Sequence, residues 1–147
     1  MNKNHLEKPL QLFVPQEENG SEALFFADAV AAGFPSPAGD FMEVRISLDR
    51  ELVKNKEATF YARVRGQSMV DAGLNDGDLL IIDRSLEPQT GKVAVCVIDG
   101  EFTVKTLKIE KEGLYLMPAN SKFKPIKVNE GNNFTVWGIV THVIKKV

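Results

Sequence analysis

The stretch VAVCVIDGEFTVKTLKI, residues 93–109, decides the fold. It holds two runs rich in β-branched and aromatic residues, 93–98 and 102–109, which the dipeptide Asp99-Gly100 separates. An Asp-Gly pair between two such runs is a strong short-range signal of a β-hairpin, because both residues tolerate the positive φ angles of a tight turn. The stretch therefore predicts an antiparallel hairpin in the second half of the chain.

Further short apolar or alternating runs surround this hairpin, and turn residues separate them. They predict strands at residues 60–64, 79–83, 114–117, 126–128 and 134–144. Helix signals are scarce after residue 45, where residues 48–54 and 69–72 favour only short helical turns. Many short strands at this spacing predict a compact, mainly β fold.

Length and charge limit the kind of protein. The chain has 147 residues, 44% of them apolar and 26% charged, which suffices for one domain with a core but not for two ordinary ones. A net charge of −2 predicts no broad basic face, so we expect no direct binding to DNA. No signal peptide is recognisable and no run approaches the length of a membrane span, so we expect a cytoplasmic protein with no membrane contact.

The residues that could bind a metal or form a disulfide are few. Cys96 is the single cysteine and lies in an apolar run, which predicts a buried, reduced thiol. Asp76 and Asp78 flank Gly77, but the other ligands of a calcium loop are missing, so we interpret this segment as a hairpin turn. We expect neither a metal nor a cofactor.

The first 32 residues differ from the rest of the chain. They carry five acidic side chains and two lysines, and they include a short alternating run at residues 10–14. A segment of this length is too short to fold alone, so we expect it to pack on the main domain. Residues 33–40, with two prolines and two glycines, follow as an extended linker. We therefore divide the chain into an N-terminal arm, residues 1–32, and a β domain, residues 33–147.

A serine in a tight turn and a lysine in an apolar strand form the candidate catalytic pair. Ser68 lies in the turn GQSM, residues 66–69, and Lys105 lies in the second strand of the hairpin. A serine nucleophile needs a group that takes its proton, and a lysine does so only when its amine is neutral, a state that burial favours. His5 and His142 lie near opposite ends of the chain, so Lys105 is the better base. Residue chemistry alone leaves an ordinary turn serine and an edge lysine as the alternative.

The apolar alternation changes phase around Lys105. Phe102 and Val104 share one parity, whereas Leu107 and Ile109 share the other. Two structures explain this change: a β-bulge at Lys105-Thr106, or a strand that is buried on both faces.

Several stretches carry a resemblance to a known family. RGQSMVDAG (65–73), DGDLLIID (76–83) and DGEFTVK (99–105) resemble the LexA/UmuD family of self-cleaving serine peptidases. The predicted strand FTVWGIV (134–140) is similar to that family's closing strand, and AVAAG (29–33) resembles its cleavage sequence. The resemblance runs from about residue 34 to the C-terminus.

The resemblance implies a fold and a set of site residues. The fold is that of the LexA C-terminal domain, of the β-clip type, with a short extended N-terminal arm. Ser68 resembles the nucleophile, Lys105 the general base, and the bond between Ala32 and Gly33 the scissile bond. The backbone amides of Gln67 and Ser68 would form the oxyanion hole, and Gln67 differs from the residues commonest there, which a main-chain contact tolerates.

The short arm indicates the branch of the family. LexA and the phage repressors place a helix-turn-helix domain before the cleavage site, and no recognition helix fits the 32 residues found here. The chain is most similar to the UmuD branch, whose members are accessory subunits of error-prone translesion polymerases in the SOS response. This implies RecA-stimulated cleavage on single-stranded DNA, a homodimeric product and a UmuC-like Y-family polymerase as partner. The alternative is a non-catalytic or phage-type LexA-like regulatory or dimerisation module that acts by binding partners.

Overall fold

The computed structural model describes residues 9–16, 22–26, 43–118, 124–129, 131 and 133–147. The chain divides into two units: residues up to Pro15 group with Asn55–Val147, and Gln16–Lys54 forms the second unit. The first unit therefore contains part of the arm expected from the sequence. The expected boundary after residue 32 marks the predicted cleavage site and not a border between the two packed units. It stays a prediction.

Strands dominate the described part of the chain. In chain order they are β1 (Leu10–Phe13), β2 (Glu22–Phe26), β3 (Glu43–Ser47), β4 (Thr59–Val64), β5 (Leu79–Asp83), β6 (Val93–Ile98), β7 (Glu101–Glu110), β8 (Gly113–Met117), β9 (Ile126–Lys127) and β10 (Phe134–Ile144). The helical elements are α1 (Leu48–Leu52) and two 3-10 turns, Lys56–Ala58 and Val70–Ala72. The mainly β prediction is confirmed.

The larger unit is built on one antiparallel sheet. Its strand order is β1-β4-β5-β10-β6-β7-β8-β9. The predicted hairpin forms β6 and β7, with φ angles of 49° at Asp99 and 83° at Gly100. Both turn residues are therefore in the left-handed region, as the Asp-Gly pair predicts. The strands predicted at 79–83, 93–98 and 134–144 have those bounds in the structure.

The smaller unit contains two strands that the sequence analysis missed and one short helix, α1, that it predicted at residues 48–54. β2 pairs antiparallel with β3, from Glu22↔Ser47 to Phe26↔Glu43, and α1 follows β3. Neither strand was predicted; both are five residues long. The linker expected at residues 33–40 lies outside the described residues.

Two core clusters use opposite faces of β6 and β7. In β6, Val95 belongs to one cluster and Ala94 and Cys96 to the other; in β7, Val104 belongs to the first and Leu107 to the second. The β6–β7 register runs without a shift from Val93↔Thr106 to Ile98↔Glu101. The alternation around Lys105 therefore changes phase because β7 is buried on both faces, and the bulge considered at Lys105-Thr106 is absent.

The bulges lie in β10 instead. The register of β10 shifts against β6 between Val136 and Gly138, which places Trp137 at a bulge. Trp137 makes edge-to-face contacts with Phe60 and Phe102, at centroid distances of 5.0 and 5.8 Å. Through these contacts one aromatic cluster joins β4, which precedes Ser68, to β7, which contains Lys105.

Candidate active site

The segment between β4 and β5 holds Ser68 on the surface of the larger unit; we call residues 65–78 the serine turn. Gly66 has a φ of 77° and donates its N–H to Asp76 Oδ1 at 2.7 Å. Met69 is buried in the first core cluster, and its carbonyl accepts the N–H of Leu74 at 3.2 Å. Ser68 itself is exposed. The turn thus buries the side chain after the serine and leaves the serine facing solvent.

The far end of the serine turn is held by a residue from the C-terminus. Lys145 Nζ donates to the carbonyl of Gly73 at 2.8 Å and forms an ion pair with Asp78. Asp78 is 5% exposed and also accepts the N–H of Asn75 at 2.9 Å. Hydrogen bonds from Lys145 and Asn75 lower the pKa of Asp78 despite its burial. Asp76 and Asp78 therefore shape a turn, as the sequence predicted.

Lys105 lies in β7, opposite Ala94 of β6. Its side chain is half-buried, and Val104 beside it is 2% exposed. Burial raises the pKa of the Cys96 thiol to about 11, and the charge of Lys105 opposes that rise. No ion pair among the described residues involves Lys105.

The serine turn and the strand that carries Lys105 line one cleft. Its volume is about 430 Å³. The lining residues are Asp71, Ala72, Val93, Val104, Lys105, Thr106, Met117, Pro118, Lys124 and Ile126. Asp71 and Ala72 follow Ser68 by three and four positions, so they place the serine turn at the wall of the cleft.

The sequence analysis identified only part of this cleft. It missed the wall formed by Met117, Lys124 and Ile126, since no pattern in the sequence shows that β8 pairs with β7 and β9 with β8. Ile109 was expected in the apolar surroundings of Lys105, but it is 45% exposed. The scissile pair, Ala32 and Gly33, lies outside the described residues.

Two backbone amides at the serine could bind an oxyanion. Within the part of the chain that the structure describes, no hydrogen bond uses the N–H groups of Gln67 or Ser68. The carbonyl of Gln67 accepts the N–H of Val70 at 3.2 Å, which fixes the plane of the peptide between Gln67 and Ser68. Preorganised amide donors of this kind stabilise the charge of a tetrahedral intermediate.

Other chemistries find less support in the described residues. No group of three or more His, Cys, Asp or Glu side chains among them could hold a metal ion. None of the helices in this part of the chain is long and apolar enough to cross a membrane. His142 is exposed, and its Nδ1 lies 2.9 Å from the hydroxyl of Thr141. His142 is not among the residues that line the cleft.

Comparison with known proteins gives one family. Residues 24–141 match the family model for S24-like peptidases. The chain is 38% identical to the ImpA protein of Escherichia coli over 136 residues, which is 90% of this chain and 92% of that protein. It is 39% identical to the MucA protein of Escherichia coli over 119 residues, or 80% and 81% of the two chains. A LexA repressor from Alcanivorax borkumensis is 39% identical over 126 residues, 86% of this chain and 61% of the repressor.

Proposed function

Because the chain belongs to the S24 peptidase-like family, we propose that it is a serine peptidase that cleaves its own arm between Ala32 and Gly33. The observation that carries this proposal is the shared cleft. Asp71 and Ala72 of the serine turn form one part of its wall, and Lys105 forms another. Ser68 is not itself among the lining residues, so the cleft brings together the segment that carries the nucleophile and the strand that carries the base. Acyl transfer needs a nucleophile and a base within reach of each other.

The proposed reaction uses the residues in the following roles. Ser68 Oγ attacks the carbonyl carbon of Ala32 while the neutral amine of Lys105 takes the hydroxyl proton. The amides of Gln67 and Ser68 donate hydrogen bonds to the oxyanion that forms. When the peptide bond breaks, Lys105 returns the proton to the departing amine of Gly33. Lys105 then takes a proton from water, whose oxygen attacks the acyl carbon. As the ester bond breaks, Lys105 returns this proton to Ser68 Oγ, which restores both groups.

One feature of the chain supports the arm as substrate. Small side chains at residues 31–33 suit a narrow cleft, since a bulky residue at the scissile position would clash.

The wider proposal follows the UmuD branch of the family. A RecA filament on single-stranded DNA favours the conformation in which the arm enters the cleft, so cleavage follows DNA damage. The product, residues 33–147, forms a homodimer and acts as the accessory subunit of a UmuC-like Y-family polymerase in the cytoplasm. Similarity over 92% of ImpA and 81% of MucA supports this branch, whereas the chain covers 61% of the LexA repressor.

The proposal is tested by cleavage of the purified full chain. At pH about 10, where more lysine is neutral, we expect slow release of a 33–147 fragment, and at neutral pH we expect release when RecA, single-stranded DNA and nucleotide are added. Ser68→Ala and Lys105→Ala should abolish both. Lys108→Ala is the matched control, because Lys108 lies in the same strand but is exposed and paired with Glu110 at 3.0 Å.

The outcomes separate the two candidate functions. A folded chain that is never cut, at either pH and with or without RecA, would support the non-catalytic module instead. Cleavage that persists in Ser68→Ala would refute the choice of nucleophile but not self-cleavage itself.

A further inference from the structure

β1 is part of the main sheet, although it lies in the segment that the proposed cleavage removes. It pairs with β4 along its whole length, from Leu10↔Val64 to Phe13↔Tyr61. Leu10 is 4% exposed and belongs to the first core cluster, and Leu12 packs against the same cluster. β1 is thus the edge strand that covers β4.

The polar contacts of β1 are specific as well. The N–H of Arg65 donates to the carbonyl of Pro9 at 2.9 Å, and the Arg65 guanidinium donates to Gln11 Oε1 at 3.0 Å. The N–H of Val64 faces the other way and donates to the backbone carbonyl of Asp78, just before β5, at 2.9 Å. Since successive strand residues point their N–H groups to opposite neighbours, the N–H groups of Arg63 and Arg65 face β1.

We propose that β1 is a detachable strand, and that its departure turns the β4 edge into a binding site for an extended segment of a partner protein. The trigger rests on the self-cleavage proposed above, whereas the binding site does not. The partner segment would add to the sheet in the register of β1, which is recognition by strand addition.

The residues that β1 occupies define the chemistry of that segment. Leu10 and Leu12 fill apolar positions on one face, two residues apart, so the segment needs two aliphatic side chains at that spacing. Between them, the Arg65 guanidinium needs a side-chain acceptor in place of Gln11, which Gln or Glu supplies. The expected motif is therefore aliphatic, Gln or Glu, aliphatic, in an extended conformation.

Cutting the arm changes how strongly β1 is held. While the chain is intact, β1 meets β4 at an effective concentration of about 1 mM, as is typical of flexible tethers. After cleavage, at about 1 μM protein, the concentration of β1 available to β4 falls roughly 1000-fold. The arm also contains β2, which pairs with β3, but an isolated two-stranded sheet is only marginally stable in water. We therefore expect both strands to leave.

The first test uses the uncut full chain. Gln11→Pro removes an N–H that faces β4, and Gln11→Ala is the matched control that keeps it. We expect amide hydrogen exchange at Arg63 and Arg65 to speed up at least about tenfold in Gln11→Pro only, while Ala62 and Val64 stay protected. Unchanged exchange at Arg63 and Arg65 would overturn the claim that β1 protects these two amides from solvent. Should Gln11→Pro unfold the sheet, seen as lost protection at Ile82, Leu12→Asp replaces it.

The second test probes the exposed edge with a peptide. A synthetic peptide PLQLFV, residues 9–14, should restore slow exchange at Arg63 and Arg65 in the Gln11→Pro chain. The same peptide with both leucines replaced by serine should not. Equal effects of the two peptides, or no effect of PLQLFV up to millimolar concentration, would refute the binding site.

The third test examines the trigger. After alkaline self-cleavage and gel filtration, the product should show the exchange pattern of Gln11→Pro. Cleavage with Arg63 and Arg65 still protected would overturn detachment. A chain that is not cut would refute the proposed function, and the first two tests would still decide the binding site.

Discussion

The contact of Lys145 with the serine turn leads to a quantitative prediction. Lys145→Met keeps the length of the side chain but removes the donor to the Gly73 carbonyl and to Asp78. The substitution leaves a carboxylate that is only 5% exposed with the N–H of Asn75 as a remaining donor. We therefore expect the larger unit to lose stability, because a buried charge without its partner is costly.

The size of the loss follows from exposure. Hydrogen bonds to charged groups contribute about 1.5–3 kcal/mol when they are buried, and exposed ion pairs contribute about 0–1 kcal/mol. The Lys145 side chain is 46% exposed while Asp78 is nearly buried, so the pair lies between these limits. We expect Lys145→Met to lower the free energy of unfolding by about 1–2 kcal/mol.

Urea unfolding at neutral pH measures this loss. Trp137 is the single tryptophan and packs between Phe60 and Phe102, so its fluorescence reports on the main sheet. Lys146→Met is the matched control, since Lys146 is the exposed neighbour. A double-mutant cycle with Asp78→Asn should give a coupling energy of at least about 0.5 kcal/mol. Equal stability of the two lysine variants, within about 0.5 kcal/mol, together with no coupling to Asp78 would refute the reasoning.

Three further predictions concern the core and the pH dependence. Gly138→Ala should cost about 1–3 kcal/mol in urea unfolding, because its added methyl would lie 2.5 Å from Cγ2 of the buried Ile82, and wild-type stability would contradict this close approach. Cys96 should resist Ellman's reagent at pH about 8 until the protein unfolds, since its thiol is buried and its pKa is raised to about 11; rapid labelling of the native chain would contradict that burial. The pKa of Asp78 is lowered, and that of Asp83 is lowered as well, despite its burial, because hydrogen bonds from Ser85 and Asn55 outweigh the effect of burial. Their stabilising effect should therefore be complete above their ordinary value of 3.8 and be lost as the pH falls through the folded values. Urea midpoints should therefore decrease in acid and decrease less in Asp78→Asn, and parallel curves for the two proteins would contradict the assignment.

Local sequence signals were sufficient for most strands of the main sheet. Asp99-Gly100 predicted the hairpin because its two positive φ angles depend on those two residues alone. β5 and β10 have their predicted bounds because their apolar runs are long and turn residues limit them. The serine turn was predicted from its glycines for the same reason.

Non-local pairing accounts for what the sequence could not predict. β1 was predicted as a short strand, but its place beside β4 depends on contacts between residues about 50 positions apart. The contact between Lys145 and Asp78 spans 67 positions and follows from no pattern in a single sequence. The phase change at Lys105 left a bulge and two-sided burial as alternatives, and only the positions of both core clusters decided between them.

The candidate site, too, was predicted where local motifs define it and missed where it depends on non-local pairing. The motifs predicted that Ser68 and Lys105 act together, and the structure brings their two segments to one cleft. It also adds a wall that includes Ile126 of β9 and Lys124, which precedes β9, and the sequence does not specify the neighbours of that strand. The catalytic roles of Ser68 and Lys105 remain proposals.

Intact-mass measurement of the full chain after incubation at pH about 10 tests the central claim most directly. Self-cleavage by the proposed site predicts two products, residues 1–32 and 33–147, whose masses sum to that of the chain plus one water. Neither product should form in Ser68→Ala or Lys105→Ala, and both should form in Lys108→Ala. A cut at another bond, or the same two masses in Ser68→Ala, would contradict the claim.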